Sequence, residues 1–246
     1  MRTLNAAIHC APVSCIPAGK RGNGQVAGAR DTVYGSDANF QIIRPLCRQR
    51  RGWDAGVVEA MDALDASAGR VVELVGQVRP EQWDNPTPCT EWNVRTLVGH
   101  LIAGMQGFCE LLNGAPAAKL RSMLEHQSRA VGTDPVTTCE SAVRSVRAAF
   151  AEPGALERTV HFTYDIPGGQ LLPFRIADNA IHSWDLATAI GADPGLHEQL
   201  VEFVYGFLAP RAQSGALYNT GYFSAPTGPL PEGATPLERL IHLVGR

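Results

Sequence analysis

Apolar residues recur every three or four positions along much of the chain, which is the period of one face of an α-helix. The first stripe begins near Met61 and stops before Pro80, which lacks the backbone donor that a helix interior needs. The second follows Thr90, whose hydroxyl suits an N-cap, and stops at the turn 114–116. Each stripe predicts a helix with one buried face. The two stripes consist of Leu64, Ala68, Val71, Val75 and Val78, and of Val94, Leu97, Leu101, Gly104, Phe108 and Leu111.

Two further helices are predicted by their end signals as well as by their period. Thr137 and Glu140 match a capping box, which indicates the start of a third helix. A fourth helix is predicted over 173–190, because proline suits the first helical position and Gly191 suits the position just after the end. The inner face of the third helix is formed by Val143, Val146 and Phe150.

The remaining segments are shorter and less regular. Residues 158–174 alternate and contain Pro-Gly-Gly, which favours an irregular or hairpin-like connection before the fourth helix. Residues 117–135 are ambiguous, although 118–127 could form a short helix. One more helical segment is predicted over 196–208, and a Pro/Gly-rich loop then leads to a short amphipathic helix at 236–246. These elements predict an all-α fold with four principal helices in a bundle and a C-terminal helical tail.

Composition adds limits on the class of protein. The chain has 246 residues and a net charge of −3, which does not favour a nucleic-acid partner, and it has no apolar run of about 18 residues that would predict a membrane span. Six scattered cysteines form no CxxC pair, which favours reduced thiols and a cytoplasmic location. Residues 1–60 carry eight Arg or Lys against four acids and show no sustained period. They predict a disordered extension, or the product of a start codon placed too early, ahead of a domain at 61–246.

One group of residues is a candidate metal site. Asp178 and His182 lie four residues apart within the predicted fourth helix, so their side chains share a face and can grip one metal ion. His100, on or beside the buried stripe of the second helix, is the best third ligand. Two histidines and a carboxylate leave one position of a tetrahedral zinc open, which is the catalytic pattern, and iron or nickel would also suit the set. An ordinary helix-surface hydrogen bond and a core histidine are the alternatives.

These three residues lie in two segments whose sequences resemble those of a known family. The segments "PTPCTEWNVRTLVGHLIAG" (86–104) and "DNAIHSWDLATAIG" (178–191) together resemble the DinB-like family, and in particular the metal-binding domain of mycothiol-dependent maleylpyruvate isomerase. The resemblance covers about 61–246 and implies a DinB-like four-helix bundle that holds a divalent metal, usually zinc. It implies His100, Asp178 and His182 as the ligands. Glutamate provides the carboxylate in the isomerase, so the shorter aspartate is a departure.

The resemblance also implies a reaction. Mycothiol or a similar thiol would be the cosubstrate of an isomerase or thiol transferase that acts on a small electrophile. The alternatives are a metal-assisted hydrolase and a non-catalytic metal-binding or dimerisation bundle, and a homodimer is open to any of them. No catalytic residue is predicted beyond the metal site. Arg95 is a candidate for an anionic substrate or cofactor, with a salt bridge as the alternative.

Other residues of the matched strings have predicted supporting roles. Asp185 follows His182 by three residues and could orient that ligand, although a salt bridge or solvent exposure is equally open. Cys89 favours a structural over a nucleophilic role. Trp92 and Trp184 are predicted to pack the helix ends. The remaining histidines are assigned to surface or packing roles, and among them His161 is singled out because it lies in the connection just before the fourth helix.

Overall fold

The computed structural model describes residues 50–162 and 164–246. Within this part of the chain there are seven α-helices and one two-stranded antiparallel hairpin, so the all-α class is confirmed. The helices are α1 Arg50–Gln77, α2 Val94–Leu112, α3 Ala117–Glu125, α4 Pro135–Ala151, α5 Leu171–Ile190, α6 Glu198–Gln213 and α7 Pro236–Leu243. The strands are β1 Thr159–His161 and β2 Asp165–Pro167, with Val160 opposite Ile166.

Helices α1, α2, α4 and α5 form a closed ring in which each helix packs against two of the others. Helix α1 packs on α4 and α5, and α2 packs on the same two helices. The first two predicted stripes fill the centre of this ring. Those of their residues that lie within α1 and α2 are all buried, and all except Gly104 carry an apolar side chain. In α4 the inner face is set by Cys139, Ala142, Val146 and Phe150, while Val143 is only half-buried.

The beginning of α1 differs from the prediction. The helix is described from Arg50 and therefore begins well before Met61. The part of the predicted N-terminal extension that precedes Arg50 lies outside the described residues. No helix in 50–162 or 164–246 is long and apolar enough to cross a membrane.

The N-caps of α2 and α4 lie at other residues than predicted. Asn93 caps α2, because its Oδ1 accepts the backbone N–H of Thr96 at 2.9 Å. Thr90 lies in a turn that is closed when the Trp92 N–H donates to the carbonyl of Cys89 at 2.7 Å, so the helix starts later. The cap predictions were wrong because these loops have their own hydrogen bonds.

The N-cap of α4 is Asp134, which accepts the N–H of Thr137 at 3.1 Å. Pro135 then occupies the first helical position, which its fixed φ favours. Thr137 is therefore inside the helix rather than at its cap.

Helix α5 lies at the middle of the fold. It begins at Leu171, two residues before the predicted start at Pro173. As predicted, Gly191 ends it, in the left-handed region with φ 71°. It contacts α1 and α2 in the ring, and α6 covers its outer side. Helix α7 in turn packs on α6. Because α5 is enclosed on several sides, polar residues along it are buried and must find partners inside the protein.

A short 3₁₀ helix at Gln127–Val131 lies directly on α2. The close approach depends on Gly99, because a Cβ atom at that position would be 2.1 Å from the carbonyl oxygen of Gln127. Gly99 immediately precedes His100. The packing of this segment therefore brings the side chain of Gln127 next to a predicted ligand.

Candidate metal centre

The three predicted ligands meet between α2 and α5. The Oδ1 atom of Asp178 lies 3.3 Å from Nε2 of His100 and 3.6 Å from Nε2 of His182. One ligand atom of each residue lies within 4.8 Å of the others. We call these three residues the triad. The i, i+4 spacing on α5 provides two members, and the packing of α2 against α5 provides the third.

The indole of Trp92 packs against both histidine rings of the triad. Its centroid is 4.6 Å from that of His100 and 5.7 Å from that of His182. The two imidazoles are themselves 5.0 Å apart, in an edge-to-face arrangement. Trp92 was predicted to pack a helix end, and it does so at the N-terminal end of α2, where it also covers one side of the triad.

Each histidine of the triad has an oxygen acceptor on the ring nitrogen that faces away from Asp178. Nδ1 of His100 lies 3.2 Å from Oε1 of Gln127, and Nδ1 of His182 lies 2.9 Å from Oδ2 of Asp185. An acceptor at Nδ1 keeps the ring hydrogen there, so the lone pair of Nε2 is available as a metal ligand. Both Nε2 atoms face the same carboxylate oxygen of Asp178.

This donor set fits a divalent cation. In a tetrahedral zinc site with bonds of about 2.0–2.1 Å, neighbouring ligand atoms are about 3.3 Å apart. The distances of 3.3 and 3.6 Å from Asp178 to the two histidine nitrogens are close to that value. Side-chain exposures of 30% for Asp178, 13% for His100 and 10% for His182 leave solvent access on the side of the carboxylate. Two nitrogens and one oxygen would occupy three of the four positions.

The second oxygen of Asp178 is held by Arg175. Nη2 of this buried arginine pairs with Oδ2 of Asp178, and its Nε donates to Oδ1 of Asn179 at 3.1 Å. Room for the guanidinium comes from Gly104 of α2, since a Cβ atom there would be 2.3 Å from Nη1. Arg175 was missed by the sequence analysis, although an arginine three residues before a carboxylate in an apolar helix is a usable signal.

Asp178 is ionised in these surroundings. Burial opposes its charge, but the Arg175 cation and then the two histidines of the triad outweigh burial and hold the pKa of the carboxyl well below its usual range. A carboxylate that is already ionised is the form that a metal ligand requires.

A second cluster supports His182 from behind. Asp185 is fully buried, and its Oδ2 accepts from Nδ1 of His182 and from the Cys89 thiol, whose sulfur is 3.3 Å away. Its Oδ1 accepts from Nε of Arg246 at 3.0 Å, and Nη2 of Arg246 lies 3.1 Å from the Cys89 sulfur. Burial would raise the pKa of Asp185, but His182 and Arg246 lower it. Asp185 thus contacts Nδ1 of the predicted ligand His182, which is one of the roles that the sequence left open.

Cys89, His182 and Asp185 are also close enough together to be considered as metal ligands. The guanidinium of Arg246 contacts both Cys89 and Asp185, however, so a cation already occupies this position. The thiol is completely buried and serves as a packed hydrogen-bonding group. The triad is therefore the better metal site.

Two other sequence candidates lie away from the triad. Arg95 is exposed, and its guanidinium carbon lies 5.0 Å from the ring centroid of Trp83. Its role toward an anionic ligand stays a prediction. His161 is exposed on β1, where its Nδ1 lies 2.7 Å from Oδ1 of Asp165.

This fold and this triad define a helical protein with a candidate metal centre of two histidines and one carboxylate. Residues 64–187 match the sequence profile of the mycothiol maleylpyruvate isomerase N-terminal domain, and the chain belongs to that family. The expected family is thereby confirmed. The matched segment contains the whole triad and Asp185, but it ends before α6, α7 and Arg246.

Individual relatives are similar over a longer part of the chain. Two uncharacterized proteins of Mycobacterium tuberculosis, Rv0738 of strain H37Rv and MT0763 of strain CDC 1551, are each 30% identical over 175 residues. These alignments cover 70% of this chain and 90% of each relative. Among solved structures, the mycothiol-dependent maleylpyruvate isomerase aligns with a TM-score of 0.49 and 15% identity, over 59% of this chain and 66% of that one. A histidine-to-alanine mutant of that enzyme gives the same TM-score at 14% identity.

Proposed function

We propose that the chain binds one divalent metal ion at His100, Asp178 and His182 and uses it in a reaction of a low-molecular-weight thiol with a small electrophile. Zinc is the expected ion, and mycothiol or a similar thiol is the expected cosubstrate. One observation carries the proposal. Two histidine Nε2 atoms converge on one ionised carboxylate oxygen while both Nδ1 atoms are held by acceptors.

The residues of the site have separate tasks in this proposal. Gln127 and Asp185 hold the two imidazole rings in the tautomer that presents Nε2. Arg175 holds the second oxygen of Asp178, so that one oxygen faces the histidines. When bound, the ion supplies an open position at which a small thiol is held as its thiolate near neutral pH.

The thiolate is the nucleophile, so the protein needs none of its own. Attack on an unsaturated carbon, bond rotation and departure of the thiolate would give cis–trans isomerisation. If the thiolate stays and the neighbouring carbon takes up the proton that the thiol released, the product is a thiol adduct. The name of the family, which refers to a mycothiol-dependent isomerase, supports a thiol cosubstrate. A homodimeric assembly and a cytoplasmic location stay predictions from the sequence.

Metal content of the purified protein tests the first part of the proposal. Elemental analysis by mass spectrometry should find about one equivalent of metal in the parent protein and little or none in His182→Ala and Asp178→Ala. His161→Ala is a matched control, because His161 also has an aspartate at four residues' distance but is exposed. The control should keep the metal of the parent.

The reaction is tested on the metal-loaded protein with a panel of small electrophiles. Turnover that requires both metal and added thiol supports the proposal. Turnover without thiol would replace it by metal-assisted hydrolysis, and metal binding without any turnover would leave a non-catalytic bundle. A parent protein that takes up no metal, even after incubation with zinc, would overturn the proposal.

A further inference from the structure

Arg246 is joined to the triad through a single buried carboxylate. Its Nε donates to Oδ1 of Asp185 at 3.0 Å, and Oδ2 of the same carboxylate accepts from Nδ1 of His182 at 2.9 Å. The side chain of Arg246 is 3% exposed and that of Asp185 is completely buried. The chain of contacts therefore runs from the guanidinium to a predicted metal ligand without passing through solvent.

The end of α7 places Arg246 in this position. The N–H of Gly245 donates to the carbonyl of His242 at 3.0 Å, and the N–H of Arg246 donates to that of Ile241 at 3.1 Å. These two bonds form a Schellman motif, which turns the backbone sharply after the helix. Gly245 has φ 71° and lies so close to Ser224 that a Cβ atom would be 2.4 Å from its carbonyl oxygen. Only glycine fits there, and the turn directs the next residue inward.

We propose that Arg246 is a positioning residue for the metal centre. It holds Asp185 in the orientation that fixes the ring of His182, so that Nε2 of His182 faces the other two ligands. The proposal rests on the proposed metal site. It assigns a part of that site to a residue outside the segment 64–187 that matches the family.

Charge explains why an arginine is needed behind Asp185. A carboxylate that is completely buried is costly unless a cation and hydrogen-bond donors compensate it. Its partners are Nδ1 of His182, the Cys89 thiol and the guanidinium of Arg246, and the guanidinium is the one whose positive charge is permanent. Arg246 binds the carboxylate and the Cys89 sulfur with two different nitrogens, which limits how the group can rotate.

The test is the zinc dissociation constant of the full chain, measured by competition with a chromophoric chelator. Loss of a group that orients a metal ligand typically costs 10- to 100-fold in affinity, and Arg246→Gln should show a loss in that range. Arg239→Gln is the matched control. It removes the same charge from an exposed position of α7 and should bind zinc as the parent does. Equal affinity in Arg246→Gln and the parent would overturn the proposal.

A double-mutant cycle separates positioning from a general effect on the fold. If Arg246 acts through Asp185, then Asp185→Asn combined with Arg246→Gln should bind zinc about as weakly as Asp185→Asn alone. Losses that add in the double variant would show that Arg246 acts by another route and would contradict the proposal. Urea unfolding of the metal-free proteins checks that each variant folds.

Two milder variants keep the proposal testable if Arg246→Gln does not fold. Arg246→Lys keeps the charge without the two-nitrogen contact and should fall between the parent and Arg246→Gln. Gly245→Ala changes none of the ligands or their supporting side chains but strains the turn that directs Arg246 inward, and it should weaken zinc binding as well. Parental affinity in both would overturn the proposal. If the parent itself binds no zinc, the proposed function fails. If the parent binds zinc and these variants match it, only the role of Arg246 fails.

Discussion

Two pairs of histidine and aspartate, each spaced four residues apart, have very different surroundings in this protein. His161 and Asp165 lie across the hairpin with side chains 62% and 71% exposed, and their closest atoms are 2.7 Å apart. Asp178 and His182 lie on α5 with side chains 30% and 10% exposed, and their closest atoms are 3.6 Å apart. The shorter contact belongs to the exposed pair.

The difference lies in the residues around each pair. The exposed pair is a surface contact between two side chains. The buried pair has a third predicted ligand beside it in His100, acceptors on the outer ring nitrogens in Gln127 and Asp185, and an arginine on the second carboxylate oxygen. The residues around the buried pair therefore make it the candidate metal site, and spacing alone does not distinguish the two pairs.

The largest expected effect concerns stabilisation by zinc. A ligand that binds only the folded state, at a free concentration of 100 times its Kd, raises the free energy of unfolding by about 2.7 kcal/mol. Zinc should stabilise the parent protein by this amount and should fail to stabilise His182→Ala. Urea unfolding with zinc and with a chelator measures both. Asp165→Ala should be stabilised as the parent is, and a loss there would remove the distinction between the pairs.

The second prediction concerns the space that Gly104 leaves for Arg175. Gly104→Ala would place a carbon 2.3 Å from Nη1 of Arg175, so the buried guanidinium that pairs with Asp178 must shift. We expect a loss of about 1–3 kcal/mol in the free energy of unfolding, together with weaker zinc binding. Gly206→Ala is the control, since its added carbon meets nothing within 4 Å in the exposed part of α6, and it should stabilise by up to about 1 kcal/mol. Equal unfolding curves for the two variants would contradict the prediction.

The third prediction concerns Gln127, the acceptor behind His100. In Gln127→Ala the ring of His100 loses the partner that holds its hydrogen on Nδ1, and the zinc affinity should fall about tenfold. Chelator competition measures the change. Gln77→Ala removes an exposed glutamine of α1 and should leave the affinity unchanged. Unchanged affinity in Gln127→Ala would mean that Trp92 and the packing of α2 suffice to hold the ring.

The smallest expected effect is in the exposed pair itself. A double-mutant cycle with His161→Ala and Asp165→Ala should give a coupling free energy below about 0.5 kcal/mol, because solvent screens an exposed ion pair. Thermal or urea unfolding of the four proteins provides the value. A coupling above 1 kcal/mol would show that the hairpin pair is not an ordinary surface contact.

Much of the fold could be predicted because it depends on local patterns. The apolar stripes of α1 and α2, the position of α5 and the glycine at its end were read from periods and end signals within a few residues. The caps of α2 and α4 were not, because Asn93 and Asp134 act within loops whose own hydrogen bonds decide where the helix begins. Local pattern predicts that a helix exists more reliably than it predicts its first residue.

The sequence by itself determined the helical period, the family resemblance and the shared face of Asp178 and His182. All three depend on residues that are close in the chain or on strings of matching residues. Only the tertiary structure decided that Gln127 and Asp185 lie behind the two histidines and that Arg246 lies behind Asp185. Gln127 and Arg246 are far from their partners along the chain, so the packing of helices brings them together. Their positions depend on small residues such as Gly99 and Gly245, whose spacing carries no signal of the contact.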